Sequence, residues 1–592
     1  MPTTASFHSF TKDGRGWTGV TFGRPAAVHV ARSAGDVLRV LDEADRAASR
    51  DGWAVVVLAY EAAPAFDPAM PPRPTGDLPL AWVATFDRGE VRQEAGAPAT
   101  ALPGEPASSI SWTPAWSRDA FRQAVHGVQA AIAAGDTYQV NLTFPLTAPF
   151  RGDTAGWYNR LGTLQQGGYC AHVDMGRHVV ISASPELFFA RRGRRITARP
   201  MKGTSRRGRW LAEDEALAHE LASSPKARAE NVMIVDLLRN DLGRLAEIGS
   251  VHVPALFAVE RYPTVWQMTS TIEARLPADP PLPLRQLMTA LFPCGSVTGA
   301  PKIRTMQIIH RLEPEPRGVY TGSIGYMRPG GDCVFNVAIR TIVVDRETEQ
   351  ASLGVGAGIT ADSIADEEYD ECLLKGAFAA DPQPAPEEPF ALLETLKVAD
   401  GRWLLLEGHL ARMAASARYF DFSWTHEAVT RAIAAAGLPR QGTWRVRLLA
   451  FPDGTVKVES APLQPHTLPR RVALALHPVD DRDPFLCNKT TRRRTYEEAL
   501  AARPEFDDVI LWNRRGEITE STIANVVVEL DGQRWTPPQA CGLLGGTFRA
   551  ELIEQGAIGE RVIMREDLRA ASRVWLINSV HGWMDAVVEG AG

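Results

Sequence analysis

Apolar and polar positions along the chain alternate in short runs, broken repeatedly by Gly and Pro, and helical periodicity appears only in places. Leu187 to Ala190 and Ile196 to Arg199 are short strand patterns on either side of an Arg-Gly turn, so they predict a hairpin. Ser224-Pro225 pairs a capping residue with a proline at the first helical position, which predicts a helix running to about Asp241 and stopping at Gly243. That helix is apolar on most faces and is expected to be buried. Asp366 to Phe378 reads as another helix. Farther on, Trp444 to Phe451 and Thr455 to Glu459 flank Pro452-Asp453-Gly454, a second hairpin. Asp508 to Trp512 and Ile523 to Val528 read as strands. No repeat of fixed period is visible. Asp381 to Pro389 holds four prolines and three acids in nine residues, which forces extended, poorly packed chain. The division is therefore expected at 1–380, a linker at 381–389, and 390–592. A Pro/Gly/Ala-rich stretch, Ala95 to Pro106, predicts a long loop inside the first part.

Composition narrows the class. At roughly 150 residues per domain, 592 residues hold several domains. The 45% hydrophobic content excludes wholesale disorder. With 64 Lys+Arg against 70 Asp+Glu the net charge is −6, which argues against nucleic acid. Six cysteines with no Cys-x-x-Cys pair exclude a disulfide scaffold or zinc ribbon and suit a reducing compartment. The longest apolar stretch, Trp53 to Tyr60, falls far short of the ~20 residues that span a bilayer. The start lacks the apolar core of a signal peptide. The expectation is a cytoplasmic protein without membrane segments.

In the first part, Asp362 to Glu371 carries six carboxylates. A bare charge run is usually a solvated helix face. Here it follows a glycine loop, Gly354-Val355-Gly356-Ala357-Gly358, whose amides could approach an anion, and Lys375 shares a helix face with Glu371. Glu230 sits inside an otherwise apolar helix, where a carboxylate is costly unless salt-bridged or metal-bound. Convergence of Glu230 and Glu371 would supply two hard ligands for Mg²⁺. Lys202, after a strand and beside Pro200 and Gly203, is either a surface lysine or a buried nucleophile with a lowered pKa. Glu186, opening the first hairpin, could be a general acid.

Taken in order, Gly135 to Leu142, Ser184-Pro185-Glu186, Pro200 to Thr204, Arg228 to Asn231, Gly295 to Lys302, Ile339-Arg340-Thr341 and Gly356 through Lys375 resemble the chorismate-utilising enzymes, most closely aminodeoxychorismate synthase component I. The resemblance covers about residues 115 to 380. It implies an antiparallel β-sandwich with helices outside. It implies Mg²⁺ held by Glu230 and Glu371, attack on the ring by Lys202, and leaving-group protonation by Glu186. It also implies substrate contacts from Ser296, Tyr326, Arg340, Lys375 and the amides of Gly356, Ala357 and Gly358. Gln139 stands where water-using members carry lysine, which points to ammonia as nucleophile. Gln267 stands where some members have a histidine near the leaving hydroxyl, which throws more of the proton transfer onto Glu186. Leu58 to Glu61 lacks the motif of tryptophan-regulated members, so tryptophan feedback is not expected.

In the second part, Arg492-Arg493-Arg494 reads as a solvated face. Lys489, Glu520, a Gly545-Gly546-Thr547 helix start and Arg412 are more informative. A lysine for an imine, a carboxylate for a ring nitrogen and a phosphate cradle are what pyridoxal phosphate requires. Each has an ordinary explanation alone. Their order resembles the fold-type IV pyridoxal phosphate enzymes over about residues 390 to 590, a family of two α/β subdomains that includes aminotransferases and aminodeoxychorismate lyase. Phe390 to Leu396 resembles the lyase strand whose threonine, here Thr395, faces the cofactor. Asn578-Ser579 resembles a late active-site turn, but Val580-His581-Gly582 replaces its usual arginine.

The combined fold class is a multidomain α+β and α/β protein. The combined chemistry is amination of chorismate to 4-amino-4-deoxychorismate, then elimination of pyruvate to give 4-aminobenzoate. The runner-up makes the second part an aminotransferase. A non-catalytic chorismate-binding scaffold is the alternative of another class. No Gly-x-Cys-x-Gly nucleophile turn is present, so a separate glutamine amidotransferase subunit is expected to supply ammonia. The second family also implies a homodimer through the second part.

Overall fold

The computed structural model describes residues 4–10, 19–71, 73–94, 110–380, 389–437, 440–464 and 467–589. The long loop expected at Ala95 to Pro106 and almost all of the expected linker, 381–388, lie outside the described residues. The chain divides into two compact units: 1–206 with 218–386, and 387–592 with the short segment 207–217. The reassignment of 207–217 is a departure from the contiguous division expected. Composition gives no sign of it, because those eleven residues carry the same mixture of charge and alanine as their neighbours.

The first unit is built on two ten-stranded sheets whose strand pairs are all antiparallel among the described residues. Period-two alternation explains how they stack. On Trp53–Leu58, Trp53, Val55 and Val57 face the core shared with Phe7 and Phe22 of the other sheet. Ala54, Val56 and Leu58 face the opposite way, onto helices Ala34–Ser49 and Leu284–Leu291. Burial on both faces is why this strand reads as an unbroken apolar run. Helices Arg118–Ala133, Thr154–Gln165 and Ala365–Gly376 cover the other sheet. Each fully buried large apolar side chain contributes roughly 1.5–3 kcal/mol. The result is a sandwich with helices outside.

The helix expected after Ser224 spans Pro225–Gly243, and the Ser224 hydroxyl accepts the Ala227 N–H at 3.2 Å. It is amphipathic rather than buried all round: Ala227, Asn231, Ile234, Val235 and Leu238 face inward, while Val232 is exposed. Glu230 is accordingly half-buried.

The second unit pairs a four-stranded antiparallel sheet with an eight-stranded mixed sheet. Helices Leu406–Phe420 and His426–Ala435 pack on the smaller sheet. In the larger, Arg470–Leu474 runs parallel to both Asp508–Trp512 and Gly582–Val588. The strand expected at Ile523 starts at Asn525, because Ser521 Oγ accepts the Ala524 N–H and bends the chain first. No helix among the described residues is long and apolar enough to cross a membrane.

Candidate active sites

In the first unit, strand Gln139–Pro149 pairs from Val140 to Pro149 with Gln350–Ile359, while Gln139 itself pairs with Ala300. The glycine stretch is therefore strand, not the anion-cradling loop expected. Beyond Leu353 this strand has a partner on one side only, so alternate amides point to its open edge. Gly354, Gly356 and Gly358 share one face, and each is crowded from another segment. A Cβ would meet the Tyr320 ring at 2.1 Å, the Leu142 carbonyl at 2.7 Å and Gln139 Nε2 at 2.2 Å, respectively. At Gly358 the same Cβ would stand 3.4 Å from Lys202 Nζ. Bare backbone here leaves room for Gln139 and Lys202 to approach Gly358.

Lys202 is the second residue of strand Met201–Arg206. Burial, then the Lys375 charge, lowers its pKa, while Glu230 and Glu186 oppose the shift. Glu186 is 3% exposed. Burial pushes it up to about 7, against the Ser296 hydrogen bond and the Lys202 charge. Ser296 Oγ donates to Glu186 Oε1 at 2.7 Å. Gln139 is buried and its Oε1 has no hydrogen-bond partner among the described residues. Lys375 Nζ donates to the Gly356 carbonyl at 3.1 Å and pairs with Glu371 Oε1 at 2.6 Å. Arg340 is half-buried, and its guanidinium donates to the neutral Gln165 Oε1 at 2.8 Å rather than to a carboxylate. A desolvated cation with no acid paired to it among the described residues suits an anionic ligand. Gln267 is turned toward the Lys202 strand, where Thr204 Oγ1 donates to its Oε1 at 3.0 Å.

Tyr326 does not join this set. Its ring lies in the core between the sheets, 5.1 Å from Phe7 and 6.1 Å from Trp53. The tyrosine beside the glycine strand is Tyr320, which the sequence reading passed over. Its signal was the flanking pair Gly318 and Gly322.

For a hard cation, the donors are Glu230, Glu371 and a residue missed in the charge run, Glu368. Glu368 is raised by burial and by the like charge of Glu371 one turn on. Lys226, one turn before Glu230, also acts on Glu368, which sets the start of that helix beside the acidic helix. Among the described residues no three side chains of metal-binding type are gathered around one point. Crowded carboxylates that supply two or three oxygens still fit Mg²⁺, which keeps several waters and takes substrate oxygens.

In the second unit, Lys489 lies on an extended segment docked to strand Leu392–Ala399, where the Leu393 N–H donates to the Lys489 carbonyl at 2.9 Å. Burial, with the Arg412 charge, brings its amine down to about 8. Glu520 is 5% exposed. It accepts from Tyr496 Oη at 2.8 Å and from the Leu544 N–H at 3.1 Å. Burial nevertheless lifts it to about 7. Thr547 opens helix Thr547–Glu554, and its hydroxyl is 3.1 Å from His409 Nε2. Arg412 donates to the Gly545 carbonyl at 2.9 Å just before that helix. Its position is fixed by a residue the sequence reading did not single out. Glu394 accepts from Arg412 Nε at 2.8 Å and from Arg412 Nη2 at 2.5 Å, and it pairs with His409 Nδ1 at 2.7 Å. Burial alone would raise Glu394, but Arg412 and His409 pull it down to about 2. Its signal was a lone acid in an apolar strand. Thr395 is on the opposite strand face, half-buried, with Ser579 Oγ donating to its carbonyl at 3.4 Å.

These donors fit pyridoxal phosphate. Lys489 is the amine, Glu520 the buried acid, and the Thr547 helix start with Arg412 the anion cradle. Three of the five Arg412 N–H groups are committed to Glu394 and Gly545, leaving two for phosphate.

The chain belongs to the chorismate binding enzymes, whose family model matches residues 9–381. Residues 391–587 match the amino-transferase class IV model. Among similar proteins are aminodeoxychorismate synthase of Streptomyces pristinaespiralis, 44% identical over 47% of this chain and 38% of its own, and aminodeoxychorismate synthase component 1 of Klebsiella aerogenes, 43% identical over 45% and 60%. Anthranilate synthase component 1 of Thermus thermophilus is 41% identical over 47% and 60%. The chain thus spans between 38% and 60% of these relatives. The crystal structure of anthranilate synthase component I from Streptococcus pneumoniae superposes with a TM-score of 0.52 at 26% identity, over 63% of this chain and 92% of that one.

Proposed function

We propose that the chain makes 4-aminobenzoate in two steps: amination of chorismate to 4-amino-4-deoxychorismate by the first unit, then loss of pyruvate on the second. The observation that carries the reading is Lys202 beside Gln139 on the bare glycine strand, with the protonatable Glu186 acting on it. Burial lowers the Lys202 pKa and so favours the neutral, nucleophilic amine. That amine attacks ring carbon 2 as the carbon 4 hydroxyl departs as water, taking its proton from Glu186. Glu186, at about 7, is substantially protonated near neutral pH. Ammonia then bonds to carbon 4 and Lys202 leaves. Gln139 has no basic nitrogen with which to activate water, and its free Oε1 can accept an N–H from ammonia. Arg340, Lys375, Tyr320 and the open-edge amides near Gly356 to Gly358 orient the carboxylates. Mg²⁺, held by Glu230, Glu368 and Glu371, would supply positive charge for a substrate carboxylate.

In the second unit Lys489, Glu520, Arg412 and Thr547 would hold pyridoxal phosphate, which serves as an electron sink when bound. Lys489, at about 8, can hold or surrender a proton on Nζ and is suited to take the substrate's ring proton. Two further parts of the reading rest on the families: a separate glutamine amidotransferase feeding ammonia, and a homodimer through the second unit.

The experiment supplies chorismate, Mg²⁺, ammonium and pyridoxal phosphate to the purified chain. Equal amounts of 4-aminobenzoate and pyruvate are expected. Appearance of 2-aminobenzoate would replace the first step with that of the anthranilate synthase relatives. Accumulated aminodeoxychorismate with D-alanine or branched-chain transamination would make the second unit an aminotransferase. Glutamine hydrolysis by the chain alone would remove the partner.

A further inference from the structure

Arg317 is a guanidinium with 3% of its side chain exposed and all five N–H groups engaged. Nε donates to Glu313 Oε2 at 2.8 Å, and Nη2 to Glu313 Oε1 at 2.7 Å. Nη2 also reaches the Asn141 carbonyl at 2.6 Å. Nη1 reaches the Val297 carbonyl at 3.0 Å and Thr321 Oγ1 at 3.4 Å. The plane lies 4.5 Å from the Tyr60 ring centre. Glu61 fixes the backbone beneath, accepting from the Arg317 and Gly318 amides at 2.7 and 3.0 Å. Glu313 Oε1 further accepts the Thr143 N–H at 2.8 Å.

The three segments so joined each carry a residue of the amination site. Asn141 and Thr143 follow Gln139 on its strand, Val297 follows Ser296, and Thr321 follows Tyr320. A buried ion pair is a poor source of net stability, since apolar replacements are often neutral or better. A forked five-donor cation is a good device for fixing several carbonyls at once, and a lysine cannot reproduce it.

We propose that Arg317 is a positioning residue for chorismate amination: by tying the Val297 carbonyl to the Asn141 carbonyl on the strand of Gln139, it holds Ser296 in hydrogen-bond reach of Glu186. The inference rests on the reading of Glu186 as general acid, and the test separates the two. The measured quantity is chorismate consumption against pH at constant free ammonia. Required protonation of Glu186 gives a limb that falls as pH rises through about 7. The Ser296 bond stabilises the carboxylate, so its loss raises the Glu186 pKa and moves that limb to higher pH. Ser296→Ala is expected to move it by about one unit. Arg317→Lys is expected to move it in the same direction, with about a tenfold fall in kcat, and the double variant to move it no farther. Should Arg317→Lys not fold, Glu313→Gln keeps the guanidinium, loosens its fork and carries the same comparison. A limb left in place by Ser296→Ala overturns the role of Glu186 and the inference with it. A limb moved by Ser296→Ala but not by the Arg317 or Glu313 variant reduces Arg317 to a structural ion pair.

Discussion

Glu186 and Glu394 are both nearly inaccessible, 3% and 1% exposed, one in each unit. Burial raises the first to about 7, while the second is held near 2. The difference lies in what touches them. Glu186 receives a serine hydroxyl and feels a lysine whose own pKa is lowered by burial. Glu394 is gripped by two arms of a guanidinium and an imidazole. Equal concealment thus leaves one acid able to hold its proton near neutral pH and the other a permanent anion. A buried acid is assigned by its partners rather than by its depth.

The strongest way to break the comparison removes the lysine coupled electrostatically to each acid. Lys202→Ala should abolish amination, read as chorismate consumption, and leave pyruvate release from supplied aminodeoxychorismate intact. Lys489→Ala should do the reverse and also lose visible cofactor absorbance. Glu186→Gln should lower the amination rate by about 10²–10⁴-fold and remove the limb that falls through about 7. Glu394→Gln leaves a buried guanidinium unpaired. It should destabilise the second unit by about 3–5 kcal/mol, measured by denaturant unfolding, and weaken cofactor binding in fluorescence titration. Because the folded pKa of Glu394 is below its unfolded value of about 4.5, its contribution is complete above pH 4.5 and is lost as pH falls towards about 2. Acid unfolding of the second unit should therefore steepen in that window, and the Gln variant should lack the effect. The smallest expected effect is Gly358→Ala, whose methyl collides with Gln139. About 1–3 kcal/mol of stability should be lost, with a raised KM for chorismate.

Much of this was legible in the chain. Ser224-Pro225 announced a helix through local capping chemistry, and the two hairpins followed from turn residues and alternation. Lys202, Glu186, Lys489 and Glu520 were marked by their neighbours in sequence, and Ser296 by the family resemblance alone. What stayed hidden depends on contacts across long separations. Tyr326 and Tyr320 lie in adjoining stretches of similar composition, and only the sheet decides that one fills a core while the other rests on Gly354. Nothing in its sequence neighbourhood marks Arg317, whose hydrogen bond is accepted by the Asn141 carbonyl 176 positions away. The glycines at 354 to 358 suggested a loop because isolated sequence cannot show the strand that pairs with them.

That alternating strip has a further meaning. One side of the strand, Val355 and Ala357, is anchored in the core, while the other side is stripped to peptide. A floor of peptide has no rotamers to sample, so whatever lies on it finds a surface already in its final shape. A flat ring settling there would spend little on reorganisation, and its selectivity would come from the residues at the rim.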